Sequence, residues 1–382
     1  MKHPVSTYRL QFHAGFTFSD FEKIIPYLHK LGIRTIYASP VFKAVPGSAH
    51  GYDALDPHIL NPEIGELEQW QKISKGLKQI GMCWLQDIVP NHMAFDTRNA
   101  WLMDVLEKGQ HSAYASFFDL GWTSVVYEGK PMVPFLGDTL ERVIERGELQ
   151  LAYKEPRFVL EYFGAAYPLG LSSYRQIVRQ GGNGNDALQQ LLPQIEQAHQ
   201  TEEVPAFSER FGEIQMQLAS LMRNENVRSY VDSTISAINA DSSKLKQLAQ
   251  AQVYRLCHWQ ETDHRINYRR FFTVNGLICL NIQDERVFEH FHRFIKILSE
   301  EKIIDGLRID HIDGLYDPSR YLHRLTNLVG ANTYIVVEKI LQHREHLPEE
   351  WKIEGSTGYD FLSMANNLLT QKSSEKTFTD LY

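Results

Sequence analysis

The chain has 382 residues, 43% of them apolar and 23% charged, a composition that can bury one large core or two ordinary ones and argues against a disordered chain. Its 39 Lys and Arg against 47 Asp and Glu give a formal net charge of -8, which argues against a nucleic-acid partner because that binding draws on clustered basic residues. Three scattered cysteines, Cys83, Cys257 and Cys279, form neither a disulfide framework nor a metal-binding spacing, and no apolar leader or run of about 18 uncharged apolar residues predicts a membrane span.

In chain order, Thr7 to Phe12 predicts a strand. Thr17 and Asp20 have capping-box spacing, and Phe21, Ile24, Ile25, Leu28 and Leu31 then recur at helical period through Pro26, with Gly32 as the stop. Ile33 to Ser39 is a buried-type strand. After a long loop, Leu67, Trp70, Ile73, Leu77 and Ile80 mark a second amphipathic helix closed by Gly81, and Met82 to Val89 is the third strand.

After His92 this rhythm breaks for nearly two hundred residues. The segment reads as an inserted subdomain: β-type and loop signals to about Pro168, including Arg157 to Phe163, then a polar, Gln-rich stretch with helical spacing. Between them Gln180 to Asp186, QGGNGND, reads as a linker or hairpin tip. Strand and helix alternate again with a helix through Val287, Phe291, Phe294, Ile295 and Leu298, the strand Asp305 to Asp310, and a helix from Pro318 to Gly330. Strand Tyr334 to Val337 and a short strand near Lys352 to Glu354 follow.

Alternating strands and helices predict an α/β fold with a parallel sheet. About six strand-and-helix units are two short of the eight that close a (β/α)8 TIM barrel. The domain expectation is 1–92 for the first part of a barrel, 93–275 for the insertion, and 276–382 for the continuation.

Three strands end in polar residues, where a barrel of this kind carries its chemistry: Asp87-Ile-Val-Pro-Asn91-His92, Arg308-Ile-Asp310-His311 and Val337-Glu338-Lys339. Period-2 geometry sends Arg308 and Asp310 to one face, so the guanidinium should hold the carboxylate ionised as a nucleophile. Glu338, after an apolar run, should be raised by partial burial and keep a proton for a leaving oxygen. One charged and one protonated carboxyl, about 5 to 5.5 Å apart, is what retaining glycoside cleavage requires. An ordinary ion pair and a helix-capping Glu338 explain the spacing equally well. No HExxH pairing occurs among the sixteen histidines, and no metal or other cofactor is expected.

The segments DIVPNH, GLRIDHIDGL and VEKIL resemble, in order, three signature regions of the α-amylase superfamily. TYRLQF (7–12), PGSAHGYDALDP (46–57), INYRRFF (266–272), DHIDGLYDP (310–318), EKIL (338–341) and GSTGYDF (355–361) resemble the maltooligosyl trehalose synthase family more narrowly, over about residues 6 to 362. The resemblance implies an α-amylase-type barrel. It implies Asp310 as nucleophile and Glu338 as general acid/base, with Arg308 orienting Asp310. Asp87 and His92 would bind hydroxyls of the sugar being cleaved, and Tyr52 would stack on it with His50 and Asp53 close by. Tyr268, Arg269 and Arg270 would line the pocket of the reducing-end glucose.

The implied reaction converts the reducing-end α-1,4 bond of a maltooligosaccharide or α-1,4-glucan to α-1,1, with a trehalose-releasing hydrolase as functional partner. The setting would be cytoplasmic, with no membrane partner. A hydrolase of the same superfamily and a non-catalytic glucan-binding fragment are the alternatives. The superfamily also uses a third carboxylate in a later His-Asp pair. None follows Glu338, and Asp360 lies in a stretch the family has separately, so the expectation is a truncated barrel of weak activity.

Overall fold

The computed structural model describes residues 4–179 and 185–382 and divides into two compact units, Met1–Met93 with Ile282–Tyr382, and Ala94–Asn281. The first unit is built on strands β1 (Thr7–Leu10), β2 (Thr35–Ala38), β3 (Phe42–Ala44), β4 (Ala54–Leu60), β5 (Cys83–Ile88), β6 (Gly306–Ile309), β7 (Tyr334–Val337) and β8 (Gly355–Ser356). Six of these form one sheet in the order β1-β2-β5-β6-β7-β8, with every neighbouring pair parallel. Strands that follow one another across a parallel sheet need a crossover between them. Helices α1 (Phe18–Lys30), α2 (Leu67–Gln79), α3 (Glu285–Phe291), α4 (Arg293–Glu300) and α5 (Pro318–Val329) supply all but the last of these, which runs from β7 to β8 without a helix, and α6 (Tyr359–Leu368) follows β8.

Local chemistry accounts for most of these limits. The Thr17 hydroxyl accepts from the Asp20 N–H while the Asp20 carboxylate accepts from the Thr17 N–H, so the capping box opens α1 as expected. One face of the sheet then buries an aromatic cluster. Trp84, fully buried, packs its ring against Trp70 (5.4 Å between centroids), Phe12 (5.7 Å), Phe21 (5.8 Å) and Phe18 (6.1 Å). Rings meeting edge-on at such distances contribute beyond their burial.

The structure differs from the sequence expectation in four places. β1 ends at Leu10 because the Phe12 N–H turns to the Ser39 hydroxyl (2.9 Å). The loop before α2 holds the antiparallel pair β3 and β4, whose bulged register and internal Pro57 break the period-2 signal. The helix expected through Val287 to Leu298 is two helices broken at His292 (φ -90, ψ 7), whose buried ring bonds the Phe288 carbonyl (2.8 Å) and the Tyr321 hydroxyl (2.9 Å). The last strand is Gly355–Ser356 rather than Lys352 to Glu354, because Glu354 only enters the sheet, bonding Ile335 through backbone and side chain.

In the second unit Arg157–Tyr162 is the middle strand of an antiparallel sheet with Leu149–Lys154 and Ala165–Pro168, and Met132–Leu136 pairs in parallel with Arg255–His258. Helices Leu171–Arg179, Leu192–His199, Val204–Leu221, Glu225–Asn239 and Ser242–Gln250 follow the antiparallel sheet. Residues 180–184 of the expected tip lie outside the described residues. Among the described residues no helix is long and apolar enough to cross a membrane.

Because Trp84 joins β5 to both α1 and α2, replacing it by Ala should destabilise the fold by about 3 to 5 kcal/mol. Urea unfolding of the two proteins measures this. A loss below about 1 kcal/mol would mean the cluster is not the packing centre of this unit.

Candidate active site

Parallel strands in register carry level residues on the same face, and alternate residues along each strand share that face. Asp87 of β5 is level with Arg308 of β6, and Arg9 of β1 is level with Tyr37 of β2. Asp310 and Glu338 continue β6 and β7 beyond the last paired residues, Ile309 and Val337. The Asp310 N–H donates to the Ile88 carbonyl (2.9 Å) and the Glu338 N–H to the Ile309 carbonyl (2.8 Å). Both carboxylates are therefore held at the C-terminal strand ends by the sheet ladder itself.

The Arg308 guanidinium joins them. Its Nη1 donates to both Asp87 oxygens (2.9 and 3.0 Å) and to Asp310 Oδ1 (2.5 Å), and its Nη2 lies 3.0 Å from Glu338 Oε1. Asp87 is 0% exposed, Arg308 4% and Asp310 6%. Asp87 also accepts from the hydroxyls of Tyr52 (2.6 Å) and Tyr37 (3.2 Å). Glu338 accepts from the His311 N–H (3.0 Å) and the Tyr359 hydroxyl (3.1 Å).

Three carboxyl groups thus share one buried guanidinium. Burial, then the Asp87 charge, pushes Asp310 up to about 7. Burial also pushes Asp87 above the ordinary carboxylate range, against the pull of Arg308. Burial likewise acts upward on Glu338, but Arg308, the His311 N–H and Tyr359 together hold it below that range.

The directions expected from the sequence are therefore reversed, with Asp310 above and Glu338 below the ordinary carboxylate range. The sequence reading counted one cation for one carboxylate and missed that Asp87 competes for it. Both carboxyls sit against the same guanidinium, Asp310 at Nη1 and Glu338 at Nη2.

Tyr52, Asp87, Arg308, Asp310 and Glu338 are brought together. His50 and Asp53 lie beside Tyr52 and shape its turn: His50 Nδ1 accepts from the Tyr52 N–H (3.0 Å), and Asp53 accepts from Ser48 (2.5 Å). Gly51 between them has φ +78, and a Cβ there would sit 2.4 Å from the Pro40 carbonyl oxygen, so this position requires glycine. His92 is buried with Nδ1 3.2 Å from the Asn91 amide. Tyr268, Arg269 and Arg270 belong to the second unit, where the Tyr268 hydroxyl donates to the Asn275 carbonyl (3.2 Å), Arg269 pairs with Asp119 (2.7 Å) and Arg270 bonds the Asn275 side chain.

Sequence reasoning missed Tyr37, Arg9 and Tyr359. Tyr37 had a usable signal, a hydroxyl-bearing residue at alternating positions of a strand read as buried. Tyr359 and Arg9 stood in the GSTGYDF and TYRLQF stretches, which carried the family resemblance without marking either residue for the site.

An alpha-amylase catalytic-domain model matches residues 21–158, so over that stretch the chain is similar to the alpha-amylases. Within that class it is similar to the maltooligosyl trehalose synthases. A Mycobacterium tuberculosis (strain CDC 1551 / Oshkosh) protein provisionally given that name is 32% identical, over 99% of this chain and 40% of that protein. The solved maltooligosyltrehalose synthase of Arthrobacter ramosus is 32% identical with a TM-score of 0.71, over 98% of this chain and 39% of that one. The hypothetical maltooligosyl trehalose synthase of Sulfolobus tokodaii is 33% identical with a TM-score of 0.72, over 100% of this chain and 41% of that one. The chain spans about two-fifths of the length of these relatives.

The raised Asp310 has a consequence for stability. Its folded value of about 7 lies above the unfolded value of about 3.9. The folded state therefore holds this proton more tightly, and the resulting stabilisation is full below about pH 4 and lost as pH rises through about 7. Asp310→Asn should accordingly gain on the unsubstituted protein by on the order of 2 kcal/mol between about pH 4.5 and 8, read from urea midpoints. A difference that stays constant over that range would show that Asp310 is not raised.

Proposed function

We propose that the chain carries the nucleophile and the acid/base of a retaining, glucan-rearranging enzyme on an α-amylase-type (β/α)8 barrel, with an insertion near residues 93–275. The observation that carries this reading is the single guanidinium of Arg308, which contacts both Asp310 and Glu338 at adjacent strand ends. Six parallel strands in sequential order support the barrel, and the similarity to maltooligosyl trehalose synthases supports the reaction.

In this reading a glucosyl unit enters between the two carboxyls and parts them. Glu338 then loses its contact with the guanidinium, while Arg308 Nη1 stays on Asp310. The proton that the raised Asp310 holds passes to Glu338 and Asp310 is left ionised, as the chemistry requires. Asp310 attacks the anomeric carbon while Glu338 gives its proton to the departing O4 of the reducing-end glucose. Glu338, now a base, takes the proton from the anomeric hydroxyl of that glucose, whose oxygen displaces Asp310 and forms the α-1,1 bond. Two inversions at one carbon leave it α.

Tyr52 stacks on the sugar being cleaved, Asp87 and His92 hold its hydroxyls, and His50 and Asp53 fix the turn that presents Tyr52. We assign Tyr268, Arg269 and Arg270 to the pocket that keeps the freed glucose from water, since enclosure lets it react before hydrolysis intervenes. The product calls for a trehalose-releasing hydrolase as partner, and the setting is cytoplasmic.

The reading predicts that maltopentaose treated with the protein loses reducing ends without a matching release of glucose, and that Glu338→Gln slows this by at least about 100-fold. Reducing-sugar and glucose assays on the same samples measure both. A rise in reducing ends would establish hydrolysis instead.

With Asp310 raised to about 7, kcat/KM should fall as pH rises through about 7, because the free enzyme then loses the proton that the leaving oxygen needs. A profile flat from about pH 6 to 9 would contradict this assignment.

A further inference from the structure

The network does not stop at Asp87. The Tyr52 hydroxyl that donates to Asp87 also accepts from Arg9 Nη2 (3.3 Å), and Arg9 sits on β1, at the edge of the sheet opposite β8. The same guanidinium donates through Nη1 to Gln11 Oε1 (3.1 Å), and the Gln11 amide donates to the Ala49 carbonyl (2.6 Å). Its Cζ lies 5.6 Å from the Tyr37 ring centroid, within cation–π reach.

Arg9 of β1 and Gln11, just past the end of that strand, therefore grip the loop before β4 at two points: the Tyr52 hydroxyl and the Ala49 backbone. Gly51, held against the Pro40 carbonyl, fixes the loop between them. Among the described residues Arg9 makes no ion pair with a carboxylate, and its guanidinium meets two tyrosines, Tyr52 and Tyr37. An exposed arginine that only stabilised the sheet would have no need of the hydroxyl of a ring in the site.

We infer that Arg9, with Gln11, is a positioning residue that clamps the Tyr52 loop and sets the angle at which the Tyr52 ring meets the bound sugar. Arg9 touches Tyr52 and acts through it. The inference rests on the reading that a glucosyl unit stacks on Tyr52. Without Arg9 the Tyr52 hydroxyl keeps its bond to Asp87, but the ring is free to pivot about that bond, and ligand binding pays for fixing it again. The loss therefore appears in affinity and runs through the Tyr52 hydroxyl.

Calorimetric titration with maltopentaose tests this in the Asp310→Asn protein, which binds without turnover. Arg9→Ala should weaken binding about tenfold where Tyr52 is present and less than about twofold where Tyr52→Phe has already removed the hydroxyl. Arg9→Lys, which keeps a donor, should recover most of the loss, and thermal unfolding of each variant should show that it remains folded. An Arg9→Ala penalty that is the same with and without the Tyr52→Phe substitution, or no penalty in either case, overturns the positioning role. If the Asp310→Asn parent itself does not bind maltopentaose, the sugar reading of the site fails, and the inference fails with it.

Discussion

One buried guanidinium organises the first unit. Arg308 projects from the strand between β5 and β7, and its two terminal nitrogens satisfy carboxylates from both neighbours as well as Asp310 on its own strand. A buried charge is costly unless paired and hydrogen-bonded, so this arrangement is tolerable only if the three strands hold their register. A slip of one residue would send Arg308 to the face that Trp84 and its aromatic neighbours fill, away from the carboxylates that pair it. The site and the sheet thus enforce each other.

The same guanidinium is outnumbered. Three carboxyls cannot all be ionised around one cation in a buried setting without large repulsion, so the cluster keeps protons that isolated side chains would release. That gives Asp310 and Glu338 their unequal environments: Asp310 more deeply buried and beside Asp87, Glu338 more open and served by a backbone N–H and a tyrosine. An acid and a base drawn from identical functional groups need this kind of asymmetry. A ligand that separates the two carboxyls changes which of them the asymmetry favours.

Much of this was legible in the chain. Helix starts and stops were written in local chemistry, as in the Thr17–Asp20 box and the glycines after α1 and α2, and the six parallel strands followed from alternating apolar runs. Arg308, Asp310, Asp87 and Glu338 stood out as polar residues at the ends of apolar strands, a spacing that an ordinary ion pair explains equally well, and the family resemblance chose between the two readings. What escaped depends on distance in sequence. The pairing of β3 with β4 has an irregular register that no local period reports, the break at His292 is made by Tyr321 from another helix, and Arg9 reaches Tyr52 across 43 positions. The protonation states were misjudged for the same reason: the carboxylate that competes for Arg308 lies 221 positions away in the chain.

Carboxyl carbon-13 titration by NMR, on the unsubstituted protein and on Glu338→Gln, tests the central claim most directly. Asp310 should titrate near 7 in the former and at lower pH once the neighbouring charge of Glu338 is gone. A value near the ordinary ~4 in the unsubstituted protein, or one that ignores the loss of Glu338, would contradict the account of three carboxyls sharing one cation.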